Sequence, residues 1–585
     1  MEICTPQPQE PSMQRVSRRT LLKGSLAMAA AFATHGCATI QSYKDLIGFR
    51  PVPLGAGRSK MPVISPDYEF HTLIPWGLPI APDGPRFNYP PTAADQAVQV
   101  GIGHDGMTYF PISEDGLRGL LAINHEFGRN PHLLGVSAPT NLDQIRTSQH
   151  AHGVSVLEIE KSGTRWQRSG SRFNRRIHAN TRVMFSGPVA GHALLENKVD
   201  NPFAGTLANC SNGRTPWGTY LTCEENFNLY FGATGSFEAG ESQARYGLTE
   251  RGAGYDWHRF DARFDLSNPD YRNEPNRFGW VVEIDPADPA SLPVKRTALG
   301  RFKHEGAAVV TSGDGRIVTY MGDDQGFEFI YKFVSADPWQ TMRDRGRSPL
   351  DEGILYVAHF AENGSGEWIP LTMSDPRLSA RFADQAEILT YARIAGSIVG
   401  ATPMDRPEWT SVAPDGWVYC TLTNNSRRQM PDAANPMAPN RNGHIIRWQD
   451  SDDHLGTSFQ WNIFLIADDH YESDQGFGSP DGLWTDPDGR AFILTDGRQP
   501  QGIHNQLLIA DTNTGKIARL LTGVPKCEIT GVTTTPDRRT LFVNIQHPGY
   551  GDPRLTNFPA PTDGETVPRD CTLAIRRKDG GIVGS

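Results

Sequence analysis

The chain has 585 residues, a formal net charge of −10, 59 glycines and 44 prolines. Its acidic balance lacks the basic face that a nucleic-acid binder presents, and past the N-terminal leader no segment approaches the about twenty apolar residues of a membrane span. Glycine and proline together exceed the average share and fall mainly in turns between short apolar runs, the pattern of a large all-β protein.

The N-terminus reads as an address. Arg18 and Arg19 in SRRTLLKGSLAMAAAFATHGCA precede a short alanine-rich apolar run that ends in small residues, which is the form of a twin-arginine export signal over residues 1–40. Recognition by the twin-arginine export machinery implies a protein carried folded, so that metal can be loaded before translocation, and a periplasmic or secreted destination with no stable membrane span. Cys37 after Thr34-His35-Gly36 leaves lipoprotein acylation open as an alternative.

Residues 41–585 read as a single β-propeller domain. One unit recurs: an apolar strand, a Pro-Asp-Gly or Gly-Asp-Gly turn, a second strand ending in acidic or amide residues, and a third strand. It is visible in LRGLLAINHE with HGVSVLEIE, GTYLTCEEN with GWVVEID, GRIVTYMGDD with FEFIYKFV, GWVYCTLTNN with GHIIRW, GRAFILTDG with NQLLIAD, and RTLFVNIQHP with CTLAIRR. Six such units predict a six-bladed β-propeller, since radial repetition hides sheet edges; the uneven spacing also fits seven blades. Two insertions interrupt the repeats. Residues 227–278, rich in aromatic and charged side chains, predict a lid over the site. Within residues 361–401, Ala386, Leu389, Ile394 and Ile398 stand near helical spacing and predict one surface helix over 383–401.

The chemistry lies at the starts of the innermost strands. Cys210, Glu408 and Asp481 stand six residues before Pro216, Pro414 and Pro487, while Glu305 and Glu528 stand eight before Gly313 and Pro536. Strand side chains alternate with period two, so these even offsets put all five on one face of equivalent strands. Around a propeller axis they aim one thiolate and four carboxylates inward. Without cations such a cluster repels itself and holds ionised groups out of water. A multi-metal site follows. Second-strand ends add Asn124, His125 and Glu126, then Glu224, Glu225 and Asn226, then Asp323, Asp324 and His547. Carboxylates suit a hard cation such as Ca2+, and a lone thiolate among them suits a transition metal, with iron fitting. Cys223 and Cys420, mid-strand among apolar neighbours, read as buried small hydrophobes. The five cysteines beyond the leader are odd in number and show no CxxC, so neither a disulfide framework nor a structural zinc site is indicated.

The segments NCSNGRTPWGTYLTCEEN, KHEGA and MDRPEW, the Asp-Gly turns and the leader resemble the secreted alkaline phosphatases called PhoX over most of the chain. The resemblance implies a six-bladed propeller holding an Fe(III) and Ca2+ cluster, bridged by an oxo group, that hydrolyses phosphate monoesters. It implies Cys210, Glu225, Glu305 and Glu408 as iron or calcium ligands and Arg406 as the phosphate-binding arginine. Glu224, Asp324, Asp481 and Glu528 complete the candidate ligand set, with Asn226 a candidate for substrate contact. The family's motif has Ala-Gly-Gly where this chain has Ser211-Asn212-Gly213, beside Cys210.

Phosphomonoester hydrolysis requires a dianion to be neutralised and a water to be activated, which metal ions do together, and a guanidinium can fork onto two phosphate oxygens. Small phosphoesters are the implied substrates, attacked without a protein nucleophile. Two other classes fit the same channel: a calcium-dependent propeller lactonase or phosphotriesterase, and a non-catalytic calcium-stabilised binding propeller. Iron found together with calcium separates the first reading from these. No Walker A motif, dinucleotide fingerprint or Ser-His-Asp arrangement is present.

Overall fold

Short apolar strands joined by Asp-Gly turns build six blades set around one axis, in five sheets because Ser365–Pro370 of blade 3 pairs with Ser458–Ile466 of blade 4. The computed structural model describes residues 46–200 and 204–585; the leader, with Arg18, Arg19, Cys4 and Cys37, lies outside the described residues. Blade 1 runs outward through His104–Pro111, Arg118–His125 and Gly153–Ser162, and blade 2 through Asn209–Arg214, Tyr220–Glu224, Val281–Ile284 and Val294–Arg296. Blade 3 contains Ala308–Thr311, Ile317–Gly322, Ile330–Ser335, Gly353–Phe360 and Ser365–Pro370, and blade 4 contains Pro407–Val412, Val418–Leu422, His444–Asp450 and Ser458–Ile466. Blade 5 holds Pro480–Thr485, Arg490–Thr495, Gln506–Asp511 and Ile517–Thr522; blade 6 holds Glu528–Thr534, Leu541–Gln546, Cys571–Arg577 and Tyr68–Pro75. The innermost strands touch in sequence order, and 528–534 returns to lie beside 104–111, so the ring closes at six blades.

Closure is made by both ends of the propeller: Tyr68–Pro75 pairs antiparallel with Cys571–Arg577 near the C-terminus. This ties the strand that precedes blade 1 into blade 6, so main-chain hydrogen bonds hold the ring shut. Between blades the interior is apolar and fully buried, as at Ile509, Leu521, Val543 and Ile575. Burial of this kind, at about 25 cal/mol per Å2, is the main force holding blade on blade.

The two insertions differ in kind. Residues 227–278 carry no strand, only short 3-10 turns and the helix Glu241–Arg245, held down by a buried aromatic cluster of Phe231, Trp257, Phe264 and Phe278. Residues 361–401 are not all insertion, because Ser365–Pro370 is the outer strand of blade 3, paired with Gly353–Phe360. Nor is there one surface helix over 383–401. Helices Gln385–Thr390 and Ala392–Val399 meet at a break at Tyr391 (φ −116°, ψ 41°). The carbonyls that a continuous helix would use are taken by neighbours: Arg301 N–H donates to Leu389 O (2.8 Å) and the Tyr246 hydroxyl to Thr390 O (3.1 Å). Both helices are mostly buried, with Arg393 fully enclosed. Among the described residues no helix is long and apolar enough to cross a membrane, and all five cysteines are free thiols.

Candidate metal centre

The inward acids owe their aim to a repeated backbone defect. In four blades the innermost strand carries a bulge that sets two residues opposite one on the second strand: Asp105-Gly106 opposite Asn124, Cys210-Ser211 opposite Cys223, Glu408-Trp409 opposite Thr421, and Asp481-Gly482 opposite Leu494. The functional side chain is each time the first bulge residue. Strict alternation is thus interrupted where it was invoked, and the equal offsets reflect the same bulge recurring blade by blade. Two residues upstream of the inward acid or thiol, five blades place a left-handed residue: Gly103 (φ +67°), Ala208 (φ +52°), Arg406 (φ +57°), Ser479 (φ +51°) and Lys526 (φ +58°). For the four non-glycines this conformation costs about 1–2 kcal/mol each, strain concentrated where a functional constellation must be held.

These turns gather Asp105, Glu126, Cys210, Glu225, Glu305, Asp324, Glu408, Asp481 and Glu528 in the buried channel mouth. Three groups, Asp105–Glu126–Cys210, Cys210–Glu225–Glu305 and Glu305–Asp324–Glu408, each bring their ligand atoms within 4.8 Å of one another. Cys210 belongs to the first two and Glu305 to the last two, so the groups form one continuous array. Asp496, Glu528 and His547 make a further group. Asp481 is buried in the same channel but completes none of the four.

Burial dominates the electrostatics. It pushes Glu126, Glu305, Glu408, Asp481 and Glu528 well above the usual carboxylate range, with neighbouring carboxylates adding to the effect. Glu225 is pushed up to about 8 by burial and then by Asp324. The Cys210 thiol is raised for the same reasons, lying 2.9 Å from Glu305 Oε1 and 3.2 Å from Asp105 Oδ2. Asp324 is the exception: burial raises it, but the Arg406 guanidinium and Lys303 outweigh burial and hold it low. Arg406 forks onto Asp324 through Nε (2.7 Å) and Nη2 (2.6 Å), and Nη2 also reaches Glu408 at 2.8 Å. Lys303 Nζ donates to Asn226 Oδ1 at 2.9 Å. Two cations against eight carboxylates leave the site short of positive charge, and Glu225 Oε1 is buried without a hydrogen-bond partner. Oxygen-rich donors with one sulfur fit several hard cations together with a thiolate-tolerant transition metal.

Other residues singled out in the sequence go elsewhere. Glu224 is turned from the array and fully used in the fold: Lys295 Nζ donates to Oε1 at 2.7 Å, and the backbone N–H groups of Gly279 and Trp280 donate to Oε2. His125 faces the back of blade 1, with Nε2 2.7 Å from Ser155 Oγ. Asp323 is gripped by Arg393 from the Ala392–Val399 helix, its Oδ2 accepting from Nε at 2.8 Å. Asn124 supports the centre instead of entering it, donating to the carbonyls of Cys210 (2.6 Å) and Ser211 (2.9 Å) across the blade 1–blade 2 seam.

Sequence reasoning missed Asp105, Lys303, Asp496 and Gln546. Asp105 stands six residues before Pro111, the same offset as Cys210, Glu408 and Asp481. Asp496 follows a second strand just as Glu126, Glu225 and Asp324 do. Gln546 donates to Asp105 Oδ2 (3.2 Å) and Glu126 Oε2 (3.0 Å) and gave no signal of its own. Beside the array opens a cavity of about 480 Å3 whose lining includes Glu126, Ala208 and Asn226, with Gly254 and Tyr255 of the 227–278 insertion.

No curated protein matches this sequence. The structure of Pseudomonas fluorescens PhoX in complex with vanadate, a transition state analogue, is 43% identical and superposes with a TM-score of 0.86, covering 92% of this chain and 99% of that one. A protein of unknown function from Dyadobacter fermentans aligns over 82% of this chain and 98% of its own at 11% identity and a TM-score of 0.35, too loose a likeness to bear on function. The family model for alkaline phosphatase PhoX matches residues 48–549, a span that takes in all six innermost strands and every residue of the array. With the fold shared along nearly its whole length, this chain belongs to the PhoX alkaline phosphatase family and is a phosphoric monoester hydrolase.

Proposed function

We propose that hydrolysis takes place at the channel mouth, with iron and calcium held by Asp105, Glu126, Cys210, Glu225, Glu305, Asp324 and Glu408. Asp481 and the Asp496–Glu528–His547 group extend the centre. The observation that carries this reading is the continuous array, in which Cys210 and Glu305 are shared between adjoining groups. When bound, the ions supply neutralisation of the phosphate dianion and acidification of water.

The chain's own residues bind and orient. Arg406, whose side chain is 30% exposed, is the cation that faces the opening. Its fork, occupied by Asp324 and Glu408, matches two oxygens of a phosphate equally well. Lys303 and Asn226, hydrogen-bonded to each other with Lys303 near Glu225 and Asp324, add a second cation and an amide for phosphate oxygens. The 227–278 insertion walls the cavity beside the array and screens part of it from bulk water. That a relative is known in complex with vanadate, a transition state analogue, supports phosphomonoester hydrolysis as the reaction.

We further infer export by the twin-arginine pathway to the periplasm or medium, from Arg18-Arg19 and the apolar run after them. The test is direct. Protein folded with iron and calcium is assayed on an aryl phosphate monoester, a phosphotriester and a lactone, before and after chelation. Monoester turnover that chelation abolishes, with both metals bound, is the expected result; full activity after complete metal removal overturns the proposed centre.

A further inference from the structure

We infer that the cavity beside the metal centre is a leaving-group subsite for alcohols that carry a planar aromatic group with a hydrogen-bond donor, the class to which the nucleoside released from a nucleoside monophosphate belongs. This rests on the proposed reaction site. The cavity, about 480 Å3, is of ligand-binding size. It shares Glu126 and Asn226 with the channel mouth, so an ester cleaved there has its alcohol portion beside this space. Its apolar lining is Phe127, Leu229, Tyr230 and Tyr255, three of the four aromatic.

The rings are held in place from behind. Tyr230 packs on Tyr255 at 4.4 Å and on Trp257 at 4.5 Å, and Phe127 leans on His547 at 5.5 Å, itself stacked on Tyr550 at 4.5 Å. Arg129 in turn lies 4.0 Å over the Tyr550 ring. Asn130 supplies the polar handle. Its Nδ2 donates to Gly254 O at 2.9 Å, pinning the segment of the 227–278 insertion that carries Tyr255, while its Oδ1, on a residue only 3% exposed, has no partner. A buried carbonyl lining a cavity calls for a donor, and a ring N–H or amino group supplies one while the ring itself stacks on the tyrosine wall.

The experiment compares kcat/KM of the metal-loaded enzyme for adenosine 5′-monophosphate and glycerol 2-phosphate, in wild type, Tyr255→Ala and Tyr255→Phe, alongside calorimetric titration with free adenosine. Wild type favours the nucleotide by about tenfold, the scale of one aromatic stacking contact. Tyr255→Ala loses most of that ratio and weakens adenosine binding, while Tyr255→Phe retains both. An equal ratio in wild type and Tyr255→Ala, or a wild type that does not bind adenosine, overturns the subsite. Should neither ester be turned over, the reaction site itself is wrong, and calorimetry then decides the subsite alone: adenosine binding lost in Tyr255→Ala sustains it, and adenosine binding unchanged there removes it.

Discussion

Glu224 and Glu225 are adjacent in CEEN and do opposite work. The carboxylate of Glu224 is satisfied by Lys295 and two backbone N–H groups inside blade 2, whereas Glu225 keeps an oxygen without a partner in the channel. Glu224→Gln leaves Lys295 buried without its counter-charge and should lower stability by about 3 kcal/mol or more with bound metal unchanged. Glu225→Gln should do the reverse, losing metal while the cation-free fold melts no lower. Thermal melts paired with metal analysis separate the two. For Arg406→Ala, kcat/KM on a phosphomonoester should fall by about a hundredfold or more, the scale of losing one charge-stabilising group, again with metal retained; unchanged kinetics would remove Arg406 from phosphate binding. At this scale the sequence showed which acids sit at strand starts and strand ends. It did not show that Glu224 has a lysine behind it, because Lys295 is 71 residues away in the chain.

Among elements, the innermost strands matter most, and their packing is tight. A Cβ on Gly213 would lie 2.0 Å from the carbonyl oxygen of Ala307 in the next blade. Gly213→Ala should therefore push blades 2 and 3 apart and destabilise by about 1–3 kcal/mol or more, measured by denaturant unfolding. This gives a reason for the glycine to stand in Ser211-Asn212-Gly213 even where the other two residues depart from the family's Ala-Gly-Gly. Of the other two, Asn212 donates to Thr108 Oγ1 at 2.7 Å, tying blade 2 to blade 1. The strands themselves were legible from alternating apolar residues and Asp-Gly turns. The bulges were not, since no residue type marks them, and the break at Tyr391 was not, since its cause lies in Arg301 and Tyr246, far away in the chain.

For the molecule as a whole, the buried acids link stability to pH and to cations. Burial holds Glu225 at about 8 and other channel carboxylates above their ordinary range, so the folded state keeps protons that the unfolded chain releases near its carboxylate pKa of about 4.3. A raised carboxylate contributes stability that is fully present below the unfolded pKa and is lost as pH climbs through the folded one. The Tm of chelated protein should therefore fall between about pH 6 and about pH 9, and iron with calcium should flatten that slope; a chelated protein equally stable at both pH values would contradict the buried-charge account. Repeats, turn residues and the offsets of Cys210, Glu408 and Asp481 are local patterns, so the order of residues was enough to give an all-β propeller with a cation-seeking hub, and motif likeness enough to suggest its chemistry. Which oxygens meet around one point, which acid is already answered by a lysine, and where Asp105 joins in depend on strands hundreds of residues apart being brought side by side. Such distances are set by how six blades close against each other, and no stretch of chain carries that information alone.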